Sequence, residues 1–259
     1  MSVRNALTKV PEITALFWII KALTTATGES VSDYLVHILN PVVAVALGGV
    51  GFAMALALQF YARRYVPWIY WLAVVMVAVF GTMAADVLHI GLGVPYIVST
   101  IFFAICLLVV FALWYAYEKT LSIHSIHTPR RESFYWATVV TTFALGTAAG
   151  DMTAATLGLG YLLSGILFAI LIAFVAVAHY IWMISLKIEH RHQSRNAVLA
   201  FWLAYILTRP LGASFADWMG KAPSLGGLGW GDGTVSLYLA LVIIVLVAYL
   251  TVSRKDIPS

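Results

Sequence analysis

A tryptophan followed ten residues later by a glycine and fifteen residues later by an aspartate occurs four times in this chain: Trp18, Gly28, Asp33; Trp71, Gly81, Asp86; Trp136, Gly146, Asp151; and Trp202, Gly212, Asp217. Phe17, Tyr70, Tyr135 or Phe201 precedes each tryptophan. With 19 glycines and six aspartates among 259 residues, a tryptophan meets both offsets by chance roughly once in six hundred trials, so four matches define an internal repeat. Any fold for this chain must therefore hold four equivalent units.

Each unit contains two apolar runs. They lie at about 13–33, 41–61, 67–88, 94–116, 134–156, 160–185, 198–219 and 235–252, each near the roughly 20 residues that cross a bilayer as a helix. Hydrophobic residues make up 62% of the chain, charged ones 10%, and mean hydropathy is +0.94; a soluble domain does not balance its composition this way. An even number of spans gives every copy the same orientation, so the repeats are parallel. The expected fold is all-α: one transmembrane domain over 1–259, with repeats at approximately 13–64, 66–119, 131–188 and 197–253. The first run follows a polar dozen residues and recurs as part of the repeat, so it reads as a retained span rather than a signal peptide. The single Cys106 allows no intramolecular disulfide.

Basic residues set the orientation. Arg4, Lys9, Arg63, Arg64, Lys119, Arg130, Arg131, Lys187, Arg191, Arg195, Arg254 and Lys255 all fall on the side of the termini, which the positive-inside rule makes cytoplasmic. Lys221 stands in an opposite loop, and Lys21 and Arg209 lie inside runs. This asymmetry accounts for the net charge of +4 without a nucleic-acid partner. The segment "SIHSIHTPRR" reads as a solvated cytoplasmic loop.

On these four copies, from Phe17 to about Leu250, the chain resembles a family of bacterial membrane proteins built from four tandem two-helix repeats of unknown function, each with a characteristic tryptophan. The resemblance implies the architecture and a multi-pass place in the bacterial inner membrane. It implies no mechanism, which must come from the residues.

At the cytoplasmic start of each odd span the tryptophan reads as an anchor at the headgroup boundary. The glycine reads as a close helix contact. Fifteen residues beyond the tryptophan, each aspartate lies about 22 Å deeper, toward the opposite face. An ionisable side chain there is costly and normally faces protein or water. Capping of the Gly-rich turns that follow is a second account of the aspartates, but Ser or Asn would cap equally well.

Glu29, Thr82 and Thr147 precede their aspartates by one turn on the same face, and Thr24, Thr142 and Thr208 stand lower on it. Arg209 occupies the position of Thr25, and Lys21 and Arg209 are candidate partners for the acids. Glu29, Asp33, Asp86, Asp151 and Asp217 exceed these two bases. Crowded carboxylates in low dielectric require a cation or protons among them. Oxygen ligands suit Mg²⁺, Ca²⁺ or Mn²⁺; Met83, Met152, Met219, His37 and His89 lie close enough in sequence to tilt the choice toward manganese if any reaches the ion.

The expectation is a secondary transporter for a divalent cation such as manganese, coupled to protons and using these carboxylates as metal ligands. Its partners would be the lipid bilayer and a metal ion or proton, a homo-oligomer being compatible with such a bundle. The alternatives are a monovalent cation or proton pathway, or a cofactor-binding membrane enzyme using His179 with His37 or His89. No HExxH, GxSxG or nucleotide loop supports an enzyme, and no resident cofactor is expected.

Overall fold

The computed structural model describes residues 8–185 and 195–257, which leaves the basic residues Arg4, Lys187 and Arg191 outside the described part. Among the described residues there is no strand. Eight long helices follow one another: α1 (Ala15–Ile38), α2 (Pro41–Tyr61), α3 (Pro67–Asp86), α4 (Tyr96–Glu118), α5 (Pro129–Asp151), α6 (Gly160–Ser185), α7 (Arg195–Gly220) and α8 (Asp232–Ser253). Thr14 caps α1 by accepting from the Phe17 amide, and prolines open α2, α3 and α5 at the position where a missing N–H costs nothing.

The odd helices form a closed ring in which α1 packs on α3, α3 on α5, α5 on α7 and α7 back on α1. The repeated glycines make this ring. A Cβ on Gly28 would lie 2.3 Å from Cβ of Ala78, one on Gly81 2.9 Å from Cβ of Phe143, one on Gly146 2.2 Å from Cγ of Arg209, and one on Gly212 1.9 Å from Oγ1 of Thr25. Ala78, Phe143, Arg209 and Thr25 each stand seven residues after the tryptophan of their own repeat. The glycine of one copy thus meets the same position of the next, and the fourth copy closes onto the first. Only a residue without a side chain allows backbones this near one another.

The aromatic pair at the start of each repeat follows the same rule. Phe17 packs on Trp71, Tyr70 on Trp136, Tyr135 on Trp202 and Phe201 on Trp18, with ring centroids 5.7–6.2 Å apart. Trp71, Trp136 and Trp202 are at most 3% exposed. The headgroup-anchor reading of these tryptophans is therefore corrected: they are core residues that staple one repeat to the next, because the ring turns this face of each odd helix away from lipid. Buried aromatic pairs gain about 0.5–1.5 kcal/mol beyond the area they bury.

Even helices form the outer layer. α2 lies on α3, α4 on α5, α6 on α7 and α8 on α1. Only 17% of the apolar stretch of α2 is buried, against 56% for α3. Among the described residues six helices combine span length with high apolarity; α1 and α5, of 24 and 23 residues, are long enough but more polar. They face protein, where serines, threonines and charges find partners.

The N-terminal segment, the loops after α2 and α4, and the C-terminus meet at one end, as parallel repeats require. Lys9 N–H donates to Ile126 O (3.1 Å), Tyr65 N–H to Thr8 O (3.1 Å) and Glu12 N–H to Asp256 O (3.0 Å). The Tyr65 hydroxyl donates to the Asp256 carboxylate, and Lys9 Nζ forms an ion pair of 2.6 Å with buried Glu132, which also accepts from Gln59. The loop read as solvated is only partly so: Ile123 and Ile126 are 4% and 0% exposed and pin it to the core.

Candidate functional site

Along the interior of the ring the charged residues lie in three layers. Nearest the termini is Lys21, 1% exposed, whose ammonium stands 4.1 Å from the ring centroid of Phe143 and 4.2 Å from that of Tyr205. Among the described residues it has no hydrogen-bond partner and no acid within ion-pair distance; the two aromatic faces are its near neighbours. Its expected role as a carboxylate partner is thereby corrected.

One layer further, Arg209 reaches across the ring from α7. Its Nη2 donates to Glu29 Oε2 of α1 (2.7 Å) and Thr147 Oγ1 of α5 (2.6 Å), and also contacts Thr82 Oγ1 of α3. All three acceptors stand eleven residues after their tryptophans, so one guanidinium ties three repeats at one level. Arg209 is 0% exposed and Glu29 4%. Thr24, Thr25, Thr142 and Thr208 instead donate to carbonyls of their own helices, at Lys21, Ala22, Val139 and Ala204. Thr25 also reaches Thr208 O at 3.3 Å, at the tight α1–α7 contact.

The four aspartates sit beyond Arg209, near the opposite end of the ring, in two groups. Glu29, Asp33 and Asp217 present carboxylate oxygens within 4.8 Å of one another, and Asp86, Asp151 and His89 present ligand atoms within the same limit. The first group has its own cation. Lys221, just past α7, pairs with Asp33 and lies 3.6 Å from Asp217 and 3.7 Å from Asp232. Burial works against the Lys221 charge, but Asp33 and Asp217 outweigh it and hold the ammonium above the usual lysine range. The second group has no lysine or arginine ion-paired to it among the described residues.

In the second group the backbone changes as well. α3 and α5 each end at the aspartate and continue as a single π-helical turn, Val87–Gly91 and Met152–Thr156. In these turns Leu92 N–H donates to Val87 O and Leu157 N–H to Met152 O, five residues back. Such turns re-aim side chains and recur at functional sites. Here the first of them carries His89 inward, 7% exposed. Met83 fills the contact with Gly48 of α2, where it is apolar packing.

The sequence signals reached Glu29, the four aspartates and Arg209, and the structure brings them into one interior. Lys221, Asp232 and Glu132 were missed as ion-pair partners. Lys221 was legible as the residue one helical turn after Asp217; Glu132 and Asp232 pair across more than a hundred residues or through a loop, which spacing does not reveal.

Ring, outer layer and acidic end together define a polytopic helical membrane protein of four parallel two-helix repeats. The chain belongs to the family described as Repeat of Unknown Function (DUF347), which matches residues 16–65, 69–120, 134–183 and 200–256. No curated protein and no solved structure matches it.

Proposed function

We propose that this protein is a secondary transporter that moves a divalent cation such as Mn²⁺ across the bacterial cytoplasmic membrane. The observation that carries this reading is the convergence of five carboxylates from four helices at one end of a closed ring. That end is only partly shielded: the Asp33 and Asp151 side chains are 17% and 21% exposed. Further in, Arg209 and the aromatic packing around Lys21 close the interior toward the termini. With the termini and basic loops cytoplasmic, the acidic end faces outward and the closed end faces in. A cation arriving at the carboxylates would displace protons, and protons returning would release it, which couples the two fluxes.

The test is metal flux into liposomes containing the purified protein. Asp86→Asn and Asp151→Asn keep side-chain shape while removing charge, and each is expected to reduce Mn²⁺ flux at least tenfold at normal protein yield. Flux unchanged in both variants rejects the carboxylate route.

A further inference from the structure

We propose that Asp86, His89 and Asp151 form the ion-binding site itself, a three-ligand centre for a first-row transition cation at the contact of repeats two and three. This deepens the transport reading and rests on it for the ion's role as cargo.

Carboxylates alone would not carry the assignment; the imidazole does. His89 Nε2 is hydrogen-bonded to Ser99 Oγ of α4. Ser99 Oγ has the Tyr96 and Pro95 carbonyls at 3.0 and 3.4 Å to take its own hydrogen, and with the hydrogen placed there Ser99 accepts from His89 Nε2–H. Nδ1 is then left with its lone pair. It is buried, has no hydrogen-bond partner among the described residues, and is aimed at Asp151, 3.7 Å from Oδ2. The Tyr96 ring, 4.5 Å away centroid to centroid, fixes the imidazole from the side. A lone pair facing two carboxylates is tolerable only with a positive centre between them. A shared proton would draw nitrogen and oxygen to about 2.7–2.9 Å. A metal bonded to both at about 2.0–2.2 Å holds them some 3–3.5 Å apart, nearer to what the side chains adopt. Small rotations of the two aspartates close the rest.

The donor set selects the ion class. Two carboxylates suit any hard divalent cation, but an imidazole nitrogen favours Mn²⁺, Fe²⁺, Co²⁺ or Zn²⁺ over Ca²⁺ and Mg²⁺. An imidazole held at its other nitrogen by a fixed acceptor is the usual arrangement of a metal-ligating histidine. Three protein ligands leave coordination positions for water, as an ion that must be released requires. The other group does not compete, because Lys221 already stands between Asp33 and Asp217 and Arg209 pairs with Glu29. Repeat three has Ala154 at the position of His89, so the ring provides one such centre.

The experiment uses the purified full chain in detergent with Mn²⁺ alone as probe, read by electron paramagnetic resonance for affinity, stoichiometry and nitrogen coupling. One Mn²⁺ per chain with imidazole nitrogen coupling is expected. His89→Ala should lose the coupling and at least tenfold in affinity, and Ser99→Ala about tenfold, whereas His179→Ala on α6 should change neither. Unaltered affinity in both His89→Ala and Asp151→Asn, or wild-type Mn²⁺ signals without nitrogen coupling, overturns the site. Where His89→Ala cannot be recovered folded, the wild-type coupling and Ser99→Ala decide. Flux in liposomes separates the two readings: Mn²⁺ bound at His89 without flux upholds the site and removes transport, and flux that persists undiminished in His89→Ala overturns the site while leaving transport standing.

Discussion

Neutralising Glu29 should destabilise the ring far more than neutralising Glu29 and Arg209 together. The pair is buried, with side chains 5% and 0% exposed and 2.7 Å between Nη2 and Oε2. Glu29→Gln leaves the guanidinium among Thr82 and Thr147, with Nε and Nη1 already lacking hydrogen-bond partners among the described residues. Removing one member of a buried ion pair costs about 3–5 kcal/mol because it strands the other charge, whereas neutralising both leaves no buried charge unpaired. The threonines survive the double change, because each also donates to its own helix, Thr82 to Ala78 O and Thr147 to Phe143 O. At roughly 2–4 °C per kcal/mol for a chain near this size, Glu29→Gln should lower the unfolding temperature by about 6–20 °C. Glu29→Gln with Arg209→Met should recover most of that loss. Intrinsic tryptophan fluorescence during heating in detergent reads the transition, since Trp71, Trp136 and Trp202 lie in the core that melts. If the double variant loses the sum of the two single losses, the pair is not coupled and the reasoning fails.

Gly28→Ala should cost about 1–3 kcal/mol through overpacking, since its Cβ would meet the Ala78 backbone carbon at 2.7 Å; Gly150→Ala, with nothing nearer than 3.7 Å, should stay within about 0.5 kcal/mol. Equal unfolding temperatures for the two variants would remove the glycine account of the ring. Lys221→Gln should open the Glu29, Asp33 and Asp217 group to an external ion, so that Mn²⁺ raises the variant's unfolding temperature through a second equivalent of bound metal. Unchanged stoichiometry would show that Lys221 does not stand in for a cation. Folding favours the Lys221 ammonium, so the titration of the lysine itself adds stability that is full below the usual lysine value and is lost as pH rises above it.

How much of this was legible before the fold depends on whether a residue's partner shares its repeat. The four copies, their parallel orientation and the depth of the aspartates follow from period and span length alone. The glycine's role as a close contact was readable as well, but its partner was not. That partner stands seven residues after the next tryptophan, and nothing in one copy names a residue in its neighbour. For the tryptophans the failure has a different origin. An indole near a span terminus fits the headgroup boundary and fits a protein core equally well, and only the closure of the ring decides between them. Arg209 and Lys21 show the same limit. Both are isolated bases in apolar runs, yet one crosses the interior to Glu29 while the other rests on aromatic faces, a difference set by neighbours from other repeats. His89 was a residue close to its aspartate in sequence; that its Nδ1 turns inward depends on a π-helical turn that apolar periodicity cannot reveal.

The repeat is fourfold in sequence, but its chemistry divides into halves. Arg209 compensates Glu29, and Lys221 stands among Asp33, Asp217 and Asp232, so repeats one and four carry tethered counter-charges. Asp86 and Asp151 have none among the described residues, and the π-helical turns fall after these two aspartates alone. A symmetric ring with four bare carboxylates would present a diffuse negative mouth that binds any cation weakly. Filling one half with a lysine concentrates the unmatched charge on the other, where two carboxylates equal the charge of a single divalent ion and an imidazole adds the preference for a transition metal. In the transporter proposed above, the departures from the repeat, Arg209, Lys221 and His89, would carry the specificity, and the repeated geometry of the four copies supplies the scaffold that brings them within reach of one another.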